Sequence, residues 1–343
     1  MPLWTPANIA DDDQTCWYRP ESLMQVADGA NITQWSDSFS KVNITAAEDS
    51  TVASSGDPDQ NDCPHLSADH FNRFPMAQFD GSNDSLDSAA DPKGWQNIGT
   101  NNFQVFAMVA VPTANNPKSG SAAFYTVFSK ASVLVNDVHE PYLRFFNSDA
   151  SSTYDQTSWR IQWDCQKTTE QQFTAVDELT MVDNQPEMLM VARNKDGADD
   201  GEMWAYINGK NRSAATSKED ADLNFGGTNS QDKFKMGGTD NKNAQYLNGF
   251  IGEFVVYHNT VCTSDMVTDH RLEIEGYLMH KWGRESALSS KTGSGNHIYR
   301  YGPPTTCRTV TGKTLSTNKL SRRTVNQYTL RQPLNILDEE RDL

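Results

Sequence analysis

The sequence lacks any long apolar run. Across 343 residues no window supplies the roughly 18 apolar residues that a membrane-spanning helix requires, and mean hydropathy is −0.67, so membrane insertion is not expected. Positive charge is also scarce. Twenty-nine Lys and Arg stand against 45 Asp and Glu, a net charge of −16. Such a chain repels phosphates, which argues against nucleic acid as the partner of the whole protein. Cysteine is sparse: Cys16, Cys63, Cys165, Cys262 and Cys307 are odd in number, far apart and never in a C-x-x-C pair. Neither a disulfide framework nor a zinc site is expected, only free and mostly buried thiols. The opening MPLWTPANIADDDQ has no basic n-region and no apolar h-region, so no export signal is expected. On that reading the N-x-S/T sequons at Asn31, Asn43, Asn83 and Asn211 are accidents of an Asn- and Ser-rich chain.

Catalytic signatures are missing too. There is no G-x-S-x-G, no P-loop and no H-E-x-x-H. Glycoside hydrolysis needs two carboxylates about 5 to 9.5 Å apart across a scissile bond. Glu178, Glu202, Glu253 and Glu273 are scattered, and Asp177-Glu178 would point its carboxylates to opposite faces of a strand. The expectation is a protein that is not an enzyme, with no catalytic residues and no cofactor.

What the chain does have is aromatic core material, 8 Trp, 11 Tyr and 15 Phe, enough to argue against wholesale disorder. Short apolar stretches alternate with turn residues: NFQVFAMVAVP (102–112), SAAFYTVFSK (121–130), PYLRFFN (141–147), SWRIQWDC (158–165), MLMVARNKDG (188–197), EMWAYINGK (202–210), KFKMGGT (233–239) and NGFIGEFVVYHN (248–259). Within EMWAYINGK, Met203, Ala205 and Ile207 share one face, Trp204 and Tyr206 the other, and Asn208-Gly209 is a hairpin signal. This spacing predicts an all-β antiparallel sandwich or jelly roll. One helix is expected over 264–282, capped by Thr263 or Ser264, with Val267, Ile274, Leu278 and Trp282 as its apolar stripe and Gly283 as its stop.

Composition changes after GPPTT. Residues 307–343 hold seven Lys and Arg against four acids, a net +3, so the rest of the chain carries −19. Arg308, Lys313, Lys319, Arg322, Arg323 and Arg331 are met by no acid before Asp338, and Leu315, Leu320, Leu330, Leu334 and Leu337 recur along the segment. A solvated tail does not need those leucines, so 306–343 is read as an extended basic assembly arm.

With these elements placed, the chain resembles the concanavalin A-like, laminin-G-type jelly-roll domains of bacterial and tailed-phage proteins. The likeness rests on LWTPANIADDDQTCWYRPES at the start, MAQFDGSNDSL (76–86), FQVFAMVAV, MWAYINGK, FIGEFVVYHNTVCTSDM (250–266), and IEGYLMHKWG (274–283) followed by HIYRYGPP (297–304). It covers about 1–305 and leaves the arm unmatched. Cys262 stands where a Leu is common in the family, and the loop RESALSSKTGSGN is long. The resemblance implies a concanavalin A-like jelly roll over 1–305 with one C-terminal helix. It also implies a role among virion proteins or lectin-like modules, since this fold hosts both.

Candidate sites follow. Asp80, Asn83, Asp84 and Asp87 cluster in one turn. Calcium favours such oxygen ligands and related domains bind it, but Asx-turn chemistry explains the same residues. Trp95 and Tyr154 lie in polar stretches and are glycan-binding candidates, whereas Trp35 matches a core position of the family. His65 and His70 sit five apart in a loop-like region, and His280 is expected to pack or to bond the backbone. The expected function is a virion structural protein of a tailed phage, a surface-exposed capsid decoration or head-fibre protein held by its arm. It would be assembled in the host cytoplasm with other virion proteins and copies of itself as partners. The alternative is a lectin-like adhesion module for host-surface glycans, including a tail-associated receptor-binding protein.

Overall fold

The computed structural model describes residues 3–9, 13–46, 63–88, 102–112, 123–131, 142–147, 158–164, 172–180, 185–196, 200–211, 233–238, 246–258, 270–288 and 297–305. Its strands are β1 (Gln14–Tyr18), β2 (Gln34–Trp35), β3 (Ile44–Ala46), β4 (His65–Phe71), β5 (Phe74–Asp80), β6 (Leu86–Ser88), β7 (Phe103–Ala110) and β8 (Ala123–Ala131). They continue as β9 (Tyr142–Asn147), β10 (Ser158–Asp164), β11 (Gln172–Thr180), β12 (Glu187–Asp196), β13 (Asp200–Ile207), β14 (Lys210–Asn211), β15 (Lys233–Met236) and β16 (Asn248–His258). One helix, α1, spans Arg271–Lys281. No helix among the described residues is long and apolar enough to cross a membrane.

The strands form two eight-stranded sheets. The first runs β14-β13-β12-β7-β16-β5-β4, with β1 also paired to β16; the second runs β11-β10-β9-β8-β15-β6-β3-β2. Their pairings are antiparallel. β16 is long enough to hold β5 along Asn248–Ile251 and β1 along Phe254–Tyr257 on one side, with β7 on the other. The sandwich expected from the sequence is the one found.

Alternation explains the burial. On β7, Phe103, Val105, Ala107 and Val109 enter the layer between the sheets, while Phe106, Met108 and Ala110 face outward beneath α1. Both faces of β7 are covered, so its sequence is apolar but for the buried Gln104. On β13, Ala205 and Ile207 point into the inter-sheet core and Tyr206 into the outer cluster, as the alternation predicts. The hairpin turn follows, with Asn208 and Gly209 both at positive φ.

One expectation changes. His65 and His70 are not in a loop: both belong to β4. That strand closes one end of the first sheet, where consecutive exposed positions, Ala68 and Asp69, break the alternation that marks half-buried strands. β11 was not expected, because QFTAVDELT lacks clean alternation. The helix is described only from Arg271, with His270 at its N-cap; Val267 and the cap expected at Thr263 or Ser264 lie outside the described residues. Its C-terminus is as predicted. Gly283 has φ +64, its N–H meets His280 O at 3.2 Å, and Arg284 N–H reaches Met279 O at 2.7 Å, a Schellman closure.

Candidate functional site

The richest polar chemistry lies between the first sheet and α1, around Glu253. This residue is fully buried in the middle of an apolar strand. A bulge between Ile251 and Glu253 resets the alternation there, so Gly252 and Glu253 both face α1. Trp17 Nε1 donates to Glu253 Oε1 at 2.7 Å, Trp282 Nε1 to Oε2 at 3.0 Å, and Tyr277 OH to Oε1 at 3.2 Å. Lys281 Nζ lies 2.9 Å from Oε2 and 2.8 Å from Glu21 Oε2. One carboxylate therefore ties β1, β16 and α1 together. Burial, and next the Glu253 charge, push the Tyr277 phenol far above its ordinary range, so it acts as a donor.

A second knot fixes the other side of α1. Arg271 and Glu275, both fully buried, form an i,i+4 ion pair, and Arg271 sits 4.1 Å over the Tyr206 ring. His297 Nε2 is 3.0 Å from Glu275 Oε2. His280 bonds the Tyr299 carbonyl at 2.5 Å, the backbone role expected for it. Gly276 makes room: a Cβ there would meet Tyr299 Cβ at 2.6 Å. The 297–305 segment so held pairs with the N-terminal stretch through the Leu3–Thr305 bridge and a Trp4 N–H to Pro304 O bond of 3.1 Å. Beside this clasp, Leu3, Ile298 and Tyr301 are exposed.

Other buried carboxylates are equally committed. Asp37 accepts backbone N–H groups from Trp17 (2.7 Å), Phe39 (3.0 Å), Lys41 (2.7 Å) and Val42 (3.0 Å), which folds the 36–43 loop around it. Glu187 pairs with Arg284 at 2.7 Å and accepts from Asn208. Burial raises its pKa, opposed by Asn208 and Arg284. Neither an exposed nucleophile nor a carboxylate pair across a cleft emerges from these contacts. Glu253, Asp37 and Arg271 were not singled out by sequence as a unit. The available signal was a lone Glu inside the eleven-residue apolar strand Asn248–His258.

The calcium candidates are placed by the turn after β5. Asp80 Oδ1 accepts the Ser82 N–H at 2.7 Å and the Asn83 N–H at 3.4 Å, while Asp80 N–H donates to Asp84 Oδ2 at 2.8 Å. Asp84 is buried, and Asp87 lies on β6 with Lys235 Nζ 3.8 Å away. Thus Asp80 and Asp84 serve the turn and Asp87 faces a lysine. Among the described residues no group of three or more His, Cys, Asp or Glu could hold a metal ion.

The outer face of the second sheet carries a polar row. Lys235 pairs across the strands with Asp87 and Ser129, and Arg144 with Thr126. Ser129, Thr126, Arg144 and Lys235 are all buried although they face away from the inter-sheet core. Trp95, Tyr154 and the arm residues Arg308, Lys313, Lys319, Arg322, Arg323 and Arg331 lie outside the described residues. Trp35 is fully buried, its indole N–H bonded to Arg19 O at 2.9 Å, as a core position should be. Cys16 and Cys63 are free and buried. Burial, helped by Asp37, holds the Cys16 thiol well above the usual range, so it is unreactive.

No protein-family model matches the sequence, and no curated protein does. Solved structures show a partial likeness to the chain. A Trypanosoma rangeli sialidase in complex with sialic acid is 13% identical, with 79% of this chain and 35% of that chain covered and a TM-score of 0.45. The botulinum neurotoxin serotype D binding domain is 10% identical over 75% of this chain and 50% of that one, TM-score 0.44. Domain 4 of an extracellular arabinanase from Geobacillus stearothermophilus, in complex with arabinotriose, is 12% identical over 72% of this chain and 92% of that one, TM-score 0.41. The chain spans about a third of the sialidases and half of the neurotoxin domain. A likeness at this level transfers no residue, ligand or activity.

Proposed function

We propose that the protein is a non-enzymatic structural protein of a tailed-phage virion, displayed on the surface as a capsid decoration or head-fibre protein and attached through residues 306–343. The observation that carries this reading is the clasp. The 297–305 segment is locked to α1 and to the N-terminal stretch, so the basic arm leaves a rigid anchor on a body of charge −19. The committed carboxylates point the same way, because Glu253, Glu275, Asp37 and Glu187 are consumed by structural partners. Its partners are other virion proteins and copies of itself, gathered in the host cytoplasm, where many weak arms gain avidity. Truncation after Thr306 tests this. The body should stay folded and fail to join particles, and attachment of the intact chain should weaken with salt. Normal incorporation of the truncated chain would refute it.

A lectin-like adhesion role is the second reading, favoured by the aromatic residues Trp95 and Tyr154 set in polar stretches, since sugars stack on such rings beside polar groups. A glycan array decides: binding lost in Trp95→Ala or Tyr154→Ala supports a host-glycan role, and an empty array removes it.

A further inference from the structure

Sheet ends are hazards, because an unpaired edge presents a row of backbone donors and acceptors to any other strand. Among the described residues, most edges are covered or short; β1, beside β16, is met by the Ser38 N–H to Trp17 O bond of 2.8 Å and the Tyr18–Asp37 bridge. β4 is covered by the chain before it: Gly29 N–H donates to Leu66 O at 2.8 Å, Leu66 N–H to Ala30 O at 2.8 Å and Ile32 N–H to Pro64 O at 2.7 Å. It is also broken by a bulge between Ser67 and Phe71, with Asp69 at φ +52. β2 is two residues long, and β14, also two, covers only Tyr206 and Ile207 of β13, leaving the shorter edge 200–205, which Gly201 weakens as a strand template. β11 differs. It is nine residues long, stands at the end of the second sheet, and among the described residues pairs with β10 alone.

Its sequence says what suits it. Gln172–Thr180 contains Asp177 and Glu178 and no basic residue. Two β11 strands side by side would oppose like charges, which guards against edge-to-edge self-association. An uncharged strand with basic flanks gains where a second β11 loses. The chain carries one: Thr324–Leu330 reads TVNQYTL, has no Gly or Pro, is rich in β-branched and aromatic residues, and is flanked by Arg322, Arg323 and Arg331, with Pro333 ending it. Its seven residues extend to about 23 Å, within the reach of a nine-residue edge. We propose that residues 324–330 of one copy add as an extra strand to β11 of a neighbouring copy, joining copies by backbone pairing with charge setting the choice of edge. This rests on the reading of 306–343 as an assembly arm and names its receptor.

The test uses the full chain. A photoreactive benzoylphenylalanine in place of Tyr328, in a mixture of isotopically heavy and light chains, should crosslink heavy to light within 172–180. Arg322→Glu with Arg323→Glu and Arg331→Glu should weaken self-association about tenfold or more, and adding Asp177→Lys with Glu178→Lys should restore it. Tyr328→Pro, a change in the arm that leaves the body's sheets untouched, should also weaken it, because a strand cannot lose its donors freely. Crosslinks within one chain or outside 172–180 overturn the inference, as does charge reversal without effect. If those appear while truncation after Thr306 still abolishes incorporation, the receptor is wrong and the attachment role stands. If truncation is harmless, the attachment role itself falls.

Discussion

Gly252 and Trp282 are fitted to one another. A Cβ at residue 252 would lie 2.5 Å from Trp282 Cζ2, closer still to Cη2, and 3.0 Å from Met76 Cε. The glycine is there because the indole must reach past it to donate to Glu253. Gly252→Ala is therefore expected to destabilise the protein by about 1–3 kcal/mol through overpacking. Denaturant unfolding measures this, with a change in near-ultraviolet circular dichroism reporting the displaced indole. An unchanged midpoint would show that the helix shifts freely, contrary to its closure.

Glu253 offers a sharper comparison. Replacing it by Gln removes the charge opposite Lys281 and turns one of the two oxygens that accept from Trp17, Tyr277 and Trp282 into an NH2 donor facing other donors. Breaking a buried pair from one side costs about 3–5 kcal/mol, and the Glu21 partner that Lys281 keeps puts Glu253→Gln at the low end. Adding Lys281→Met to Glu253→Gln should recover part of the loss. A double-mutant cycle with no coupling would mean that Lys281 belongs to Glu21 alone.

How far the sequence reveals this molecule differs by layer. NFQVFAMVAVP and NGFIGEFVVYHN announced β7 and β16, because strands buried on both faces read as near-continuous apolar runs, broken here only by a few buried polar residues such as Gln104 and Glu253. The stripe of Ile274, Leu278 and Trp282 and the Gly283 stop announced the end of α1. β4 and β11 stayed hidden, since strands at sheet ends need not alternate cleanly. The Glu253 knot stayed hidden for a different reason. Its members, Trp17, Glu21, Glu253, Tyr277, Lys281 and Trp282, are scattered in sequence, and only the bulge at Gly252 turns the carboxylate toward them. Their meeting is a property of the fold, not of any local pattern.

His280 sets a pH response. Burial holds its pKa below the ordinary 6.5, chiefly by desolvation, while the bond to Tyr299 works in the opposite direction. A lowered histidine pKa means that the unfolded chain binds more protons than the folded one. The sign follows: this contribution is complete above pH 6.5 and is lost as pH falls below that value towards the lowered one. Chemical-denaturation midpoints from pH 7.5 down to 5 should fall for the native sequence and fall less for His280→Gln. Parallel curves for the two proteins would assign the acid sensitivity to another group.

The turn at Asp80 carries the last prediction. Its carboxylates are occupied by the turn: Asp80 Oδ1 accepts two backbone N–H groups and Asp84 Oδ2 accepts the Asp80 N–H. An Asx turn of this kind is complete without a cation, and Asp87 lies near Lys235, which opposes a second positive charge there. The melting temperature is thus expected to be the same in calcium and in chelator, because a ligand that binds the folded state would raise it. Asp80→Ala should cost about 1 kcal/mol, the worth of a side-chain cap on backbone donors, and should do so equally in both buffers. A melting temperature that drops by many degrees on chelation, with Asp80→Ala insensitive to it, would instead make this turn a calcium site.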